Sequence, residues 1–154
     1  MDQRKIGDPW SVIPIKNALY AKDCTEIDLS GRNLDSLQNF EDFPNLELLF
    51  LNRNRLGNLD ALKSNFRLKK ICAVENQLVN VDVIKSFKFI EVLLFSNNQL
   101  KDLNHLLSIL SKLTFLKQLA LDGNPVAEEP KYRLRIIAQM PKLHVLDRHG
   151  IYIQ

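Results

Sequence analysis

His144, Asp147 and His149 lie close together in the chain, and two imidazoles with a carboxylate are the groups that hold a zinc ion or move a proton. A structural role fits them better, because His144 sits between the apolar Leu143 and Val145. Cys24 and Cys72 are the two cysteines, and neither has a histidine or a second cysteine at metal-ligand spacing. They read as reduced thiols rather than as a disulfide framework. No serine-nucleophile motif or phosphate loop appears, and Asp122-Gly123-Asn124-Pro125 reads as a turn rather than a cation loop. The chain is therefore expected not to be an enzyme and to need no cofactor and no metal. Its basic clusters are Lys69-Lys70 and Lys131, Arg133 and Arg135. Single-strand readers interleave such groups with aromatics, and Phe50 is the only aromatic on the strands predicted below, so direct nucleic-acid contact is not expected.

The side chains with the most regular spacing are amides. Asn54, Asn76, Asn98 and Asn124 fall 22, 22 and 26 residues apart. Each closes an apolar frame: Leu46, Leu49, Leu51, Asn54, Leu56; then Leu68, Ile71, Ala73, Asn76, Leu78; then Ile90, Leu93, Phe95, Asn98, Leu100; then Leu116, Leu119, Leu121, Asn124, Val126. Self-similarity at this period marks a solenoid of stacked supersecondary units. Residues 24–45 form a degenerate first copy, with Cys24, Ile27, Leu29 and Leu34 in frame but Arg32 in the asparagine's place, so that its turn must find another partner or stay wet.

The frame resembles that of leucine-rich repeats. The resemblance implies an α/β, right-handed solenoid with a concave parallel sheet, a convex side of short helices and 3₁₀ turns, and a cap at each end. Convex filling is assigned to Leu59 and Leu62, Val81 and Ile84, and Leu103 and Leu106. The four extra residues of the fourth repeat predict a helix capped at Asn104. We read one domain over 1–154, with an N-terminal cap at 1–23, about five repeats over 24–123 and a C-terminal cap at 124–150. In the first cap, a helix over Pro14–Lys22 is expected to turn Ile15 and Leu19 inward, with Trp10 and Ile13 as further cover. In the second, Pro130 opens a helix with Glu128 and Glu129 at its positive end, Tyr132, Ile136 and Met140 on one stripe, and Pro141 as its stop.

The C-terminal run Asn124-Pro125-Val126, Tyr132-Arg133, Ile136-Ile137, Pro141, Leu143 and Leu146-Asp147 resembles the C-terminal cap of small intracellular leucine-rich-repeat proteins with 22-residue, phosphatase-regulator-like repeats. That group includes the U2 small nuclear ribonucleoprotein A′, the acidic nuclear phosphoproteins, the leucine-rich dynein light chain and axonemal proteins. In this likeness Asp147 is structural. The chain ends Ile151-Tyr152-Ile153-Gln154 without an acidic tail, which argues against the phosphoprotein branch and suggests a longer natural chain.

Net charge is a mild +3, with eleven basic and eleven acidic residues over 1–77 and ten and seven over 78–154, too even to argue for a nucleic-acid partner. Residues 1–10 carry no apolar run that would serve as a signal peptide or a membrane span, so an intracellular protein off the membrane is expected.

Alternation along each strand sends one set of side chains onto the concave face. That set is Glu26, Asp28 and Ser30; Leu48, Phe50 and Asn52; Lys70, Cys72 and Val74; Val92, Leu94 and Ser96; Gln118, Ala120 and Asp122; and Val145. Leu48, Phe50, Cys72, Val74, Val92 and Leu94 then make an apolar patch where a solvated sheet is normally polar, with Asn52, Lys70 and Ser96 beside them. Burying six such side chains is worth on the order of 10 kcal/mol before association costs. The fitting partner is another protein's amphipathic helix, and a monomer is favoured. A terminal segment folded over the sheet is the intramolecular alternative. The resemblance points first to a cytoskeletal or ciliary assembly (dynein or axoneme), second to a nuclear ribonucleoprotein in which the chain grips an RNA-recognition-motif protein, and third to a phosphatase regulator.

Overall fold

The computed structural model describes residues 3–150, so the Ile151–Gln154 end lies outside it. Its elements run β1 (Ile6–Gly7), α1 (Ala18–Asp23), β2 (Glu26–Asp28), β3 (Ser36–Leu37), β4 (Leu48–Phe50), β5 (Lys70–Cys72), β6 (Val92–Leu94), α2 (Leu103–Leu110), β7 (Gln118–Ala120), α3 (Tyr132–Gln139), β8 (Val145–Leu146) and β9 (His149–Gly150). The main sheet has the order β2-β4-β5-β6-β7-β8-β9, parallel except for the last pair. Its register places Ile27, Leu49, Ile71, Leu93, Leu119 and Leu146 in one row, and all six are buried. The leucine frame therefore reads correctly onto the strands. Convex residues Leu59, Leu62, Val81, Ile84, Leu103 and Leu106 fill the interior behind the sheet. Short 3₁₀ turns (Asp60–Leu62 and Asp82–Ser86) carry two of these pairs, and the longer fourth repeat makes α2 instead.

The asparagine ladder stitches one repeat to the next. Asn98 is buried; its amide donates to the carbonyls of Ala73 and Phe95 (both 2.9 Å), and its oxygen accepts from the Leu78 N–H (3.0 Å). Asn54, Asn76 and Asn124 repeat the pattern, each reaching back to the preceding strand at Leu29, Leu51 and Phe95. This accounts for Arg32: among the described residues β2 is the edge strand of the main sheet, with no earlier strand of that sheet for an asparagine to serve. The N–H groups of Arg32 and Leu34 donate to the Asn54 side-chain oxygen, as the Leu56, Leu78 and Leu100 N–H groups do to Asn76, Asn98 and Asn124, so the first turn is satisfied like the others from the repeat that follows. Immediately before each ladder position the chain turns left-handed, at Gly31, Arg53, Glu75, Asn97 and Gly123 (φ 68°, 56°, 59°, 59° and 76°).

Both ends depart in detail from expectation. Helix α1 starts only after its Asn17 cap and spans six residues, so it turns Ala21 and Tyr20 toward the core. Ile15 and Leu19 are exposed, Leu19 by 74%. The cover comes from Ile13, Val12 and Trp10, whose ring packs edge-on against Phe43 at 5.4 Å. Strand β1 pairs with β3 in a separate two-stranded ribbon that the sequence pattern does not announce. Helix α2 is capped by Asp102, which accepts from His105 N, rather than by Asn104. Glu129 accepts from Leu103 N (2.8 Å), so it caps the start of α2 rather than that of α3. Tyr132, Ile136 and Met140 face inward as expected. Asp147 is structural: one carboxylate oxygen accepts from the N–H groups of Leu121 and Asp122, and the other from the Tyr132 hydroxyl at 2.8 Å. Burial, then the bond to Asp147, pushes the Tyr132 hydroxyl well above the usual phenol range. Asp147 and Arg148 (φ 52° and 70°) make the tight turn into β9, which covers the otherwise open edge of β8.

Candidate protein-docking face

The parallel register sorts the outward side chains into rows that run across the repeats. One row reads Glu26, Leu48, Lys70, Val92, Gln118 and Val145, and the next reads Asp28, Phe50, Cys72, Leu94 and Ala120. Where the strands end, Ser30, Asn52, Val74, Ser96 and Asp122 follow. Phe50, Cys72, Leu94 and Ala120 thus form an unbroken apolar line closed at one end by Asp28. Ala120 continues the row by one strand but is only 6% exposed, so it adds to the floor of the face rather than to its contact surface.

Burial separates the candidates. Leu48, Phe50, Val74, Val92 and Leu94 are partly buried, as are Asn52 and Lys70. Cys72 and Ser96, both expected as contact residues, are only 4% and 3% exposed. Cys72 lies between Phe50 and Leu94, two larger side chains in its own row, and burial pushes its thiol pKa up. Ser96 is committed to the sheet, its hydroxyl donating to Asp122 (2.6 Å). These two form the floor of the face rather than its contact surface. Asn52 also works within the sheet: its side-chain oxygen accepts from Val74 N (2.9 Å), and its own N–H donates to Ser30 Oγ.

The partial burial lowers the energy available. Five anchors that retain roughly a quarter of their burial gain offer about 2 to 4 kcal/mol, not the 10 kcal/mol expected for six fully exposed side chains. A docked partner must add polar contacts. Lys70 is placed for this, its ammonium 5.6 Å from the centroid of the Phe50 ring. Beside the sheet, Glu47 pairs with Lys69 (2.7 Å) and Glu91 with Lys117 (3.0 Å), and Glu47 raises the Lys69 pKa by hydrogen bond and charge.

The described part of the N-terminal segment does not occupy this face. Its strand pairs with Ser36–Leu37, and Trp10 packs on Phe43, both away from the concave rows. Among the described residues no three His, Cys, Asp or Glu side chains stand together so as to hold a metal ion, and no helix is long and apolar enough to cross a membrane. His144 and His149 are exposed, while Asp147 is taken up by backbone N–H groups.

A family model described as leucine-rich repeat matches residues 56–154. An acidic leucine-rich nuclear phosphoprotein 32-related protein of Plasmodium falciparum is 30% identical over 131 residues, which is 79% of this chain and 46% of the relative. The U2 small nuclear ribonucleoprotein A′ of Aspergillus fumigatus is 30% identical over 135 residues, 86% of this chain and 44% of the relative. The chain thus spans less than half the length of either. Among solved structures, the Drosophila melanogaster SNF/U2A′ complex matches with a TM-score of 0.73 at 25% identity, covering 82% of this chain and 74% of that one. The likeness to the nuclear phosphoprotein lies within the part of that relative that this chain spans.

Proposed function

The chain belongs to the leucine-rich-repeat family, and from that premise we propose that it is a non-enzymatic docking subunit of a nuclear ribonucleoprotein. It takes an amphipathic helix of an RNA-recognition-motif protein onto its concave sheet. The carrying observation is the partly exposed apolar pair of Phe50 and Leu94, flanked by Leu48 and Val92, in a fold that matches the SNF/U2A′ complex. The nuclear names of the curated relatives favour this setting over the cytoskeletal or ciliary one to which the sequence pointed first. The helix's apolar stripe covers the central rows, where a closed backbone needs no further hydrogen bonds. Lys70 and Asn52 fix its orientation.

The test is affinity capture from nuclear extract with the wild-type chain beside the Phe50→Glu/Leu94→Glu variant, read by mass spectrometry. The expected result is an RNA-recognition-motif protein retained by wild type and lost by the variant, while the variant keeps its circular-dichroism spectrum and cooperative melt. Equal recovery on a folded variant refutes the concave dock. Unfolding of the variant refutes the assignment of these side chains to the surface.

A further inference from the structure

The residue just before each frame's first apolar position belongs to a tight turn that feeds a strand. Read across the repeats, that column is Asn45, Arg67, Phe89, Phe115 and Lys142, and the position before it includes Phe66 and Lys88. Turn tips are ordinarily polar, yet Phe66, Phe89 and Phe115 stand there 55%, 53% and 54% exposed. The Phe89 and Phe115 rings are stacked, with centroids 6.3 Å apart and planes 24° from parallel. Arg67, Lys88 and Lys142 share these columns, and among the described residues none of the three has an ion-pair partner. The nearby carboxylates of Glu47 and Glu91 are neutralised by Lys69 and Lys117. An open groove of about 630 Å³ runs beside this column, walled by Arg67, Lys69, Asn45 and Phe89 and also by the carboxylates of Asp23 and Glu47, of which Glu47 is paired with Lys69.

We propose that this rim is a binding platform for single-stranded nucleic acid, separate from the concave dock. Bases stack on the paired rings of Phe89 and Phe115, and backbone phosphates meet Arg67, Lys88 and Lys142. Aromatic faces set among unpaired cations are the two elements that sequence-tolerant single-strand readers combine. A duplex keeps its base faces inside its own stack and gains nothing from the rings. A carboxylate-rich peptide would use the cations but leave the ring faces uncovered. The aromatics absent from the concave strands stand instead on the turns beside them, so the nucleic-acid contact not expected of the sheet is assigned to its rim.

The experiment is fluorescence anisotropy with labelled oligouridylate and oligothymidylate of about 12 nucleotides, within the usual site size for such platforms. A labelled hairpin duplex and an acidic peptide serve as comparison probes. Wild type is expected to bind both single strands more tightly than the duplex. Because a lost base stack weakens binding by about 5- to 150-fold, Phe89→Ala/Phe115→Ala should lower affinity at least about tenfold with the melt unchanged. Arg67→Gln/Lys142→Gln should reduce the slope of log affinity against log salt by about 1.4, at about 0.7 per phosphate contact. Phe50→Glu/Leu94→Glu should bind the oligonucleotides as wild type does, which separates this site from the concave one. Equal duplex binding, affinity unchanged in the phenylalanine variant, or capture of the acidic peptide alone would each overturn the proposal. Preference between the two oligonucleotides tells RNA from DNA.

Discussion

Replacing Asn98 by alanine tests whether the ladder, rather than the leucine core alone, holds the solenoid together. The substitution removes an amide that serves groups on three segments. Phe95 O keeps a second donor in Asn124, and Ser96 O still accepts from Glu75 N. Ala73 O and Leu78 N lose the Asn98 side chain and stay behind in a region from which water is excluded. At about 1 to 3 kcal/mol for each buried group left unpaired, the expected loss is about 2 to 6 kcal/mol, a large fraction of the stability of an ordinary domain. Urea unfolding followed by circular dichroism reads this directly. Because Asn98 joins its own repeat to the one before, the variant should also unfold less cooperatively, with a smaller dependence of stability on urea. Asn98→Asp provides a control. It keeps an acceptor for Leu78 N but sets a carboxylate against two carbonyl oxygens, so its deficit should match or exceed alanine's at neutral pH and shrink on acidification as the carboxyl gains a proton. A loss below about 1 kcal/mol for alanine, less than the cost of even one buried group left unpaired, would refute the reasoning.

Other substitutions test the core, the turns and the cap. Leu93→Ala empties a fully buried inward position and should cost about 2 to 5 kcal/mol in the same urea assay. Glu75 holds a left-handed turn that Gly31 and Gly123 fill elsewhere, so Glu75→Gly should stabilise the chain by about 1 kcal/mol, seen as a higher melting midpoint. Gly123→Ala should destabilise, because its φ of 76° strains an L side chain and the new methyl would collide with Asn97. The Tyr132 hydroxyl is raised in the folded chain, chiefly by burial and then by Asp147. Its contribution to stability is therefore complete below the unfolded value of about 10 and declines as pH rises beyond it. Urea titrations from pH 8 to 11 should show a fall that is smaller in Tyr132→Phe, and equal falls would remove Tyr132 as a cause.

The strand register was legible because leucines recur where an inward position must be filled, and a slip of one residue would expose Leu49, Ile71 and Leu93 together. Alternation within one strand could not reveal that Cys72 and Ser96 are buried, because that depends on their cross-strand neighbours Phe50, Leu94 and Asp122. Nor could it reveal β1 and β9, two-residue strands too short to carry a periodic signal, of which β9 covers the edge of β8. Arg32 reads as a defect in the ladder, but β2 is the edge strand of the main sheet and Asn54 satisfies its turn. In each case the missing information ran across the repeats. In a parallel solenoid residues one period apart are spatial neighbours, so a column of equivalent positions behaves as a surface. The leucine columns describe the core and hide nothing further. The turn columns are free of packing demands, and a run there of arginine, two phenylalanines and lysine is unexplained by the fold. That is the physical reason for assigning the rim a ligand of its own: three rings exposed at successive turns, two of them stacked on one another, make a contiguous apolar patch that a covering partner would bury.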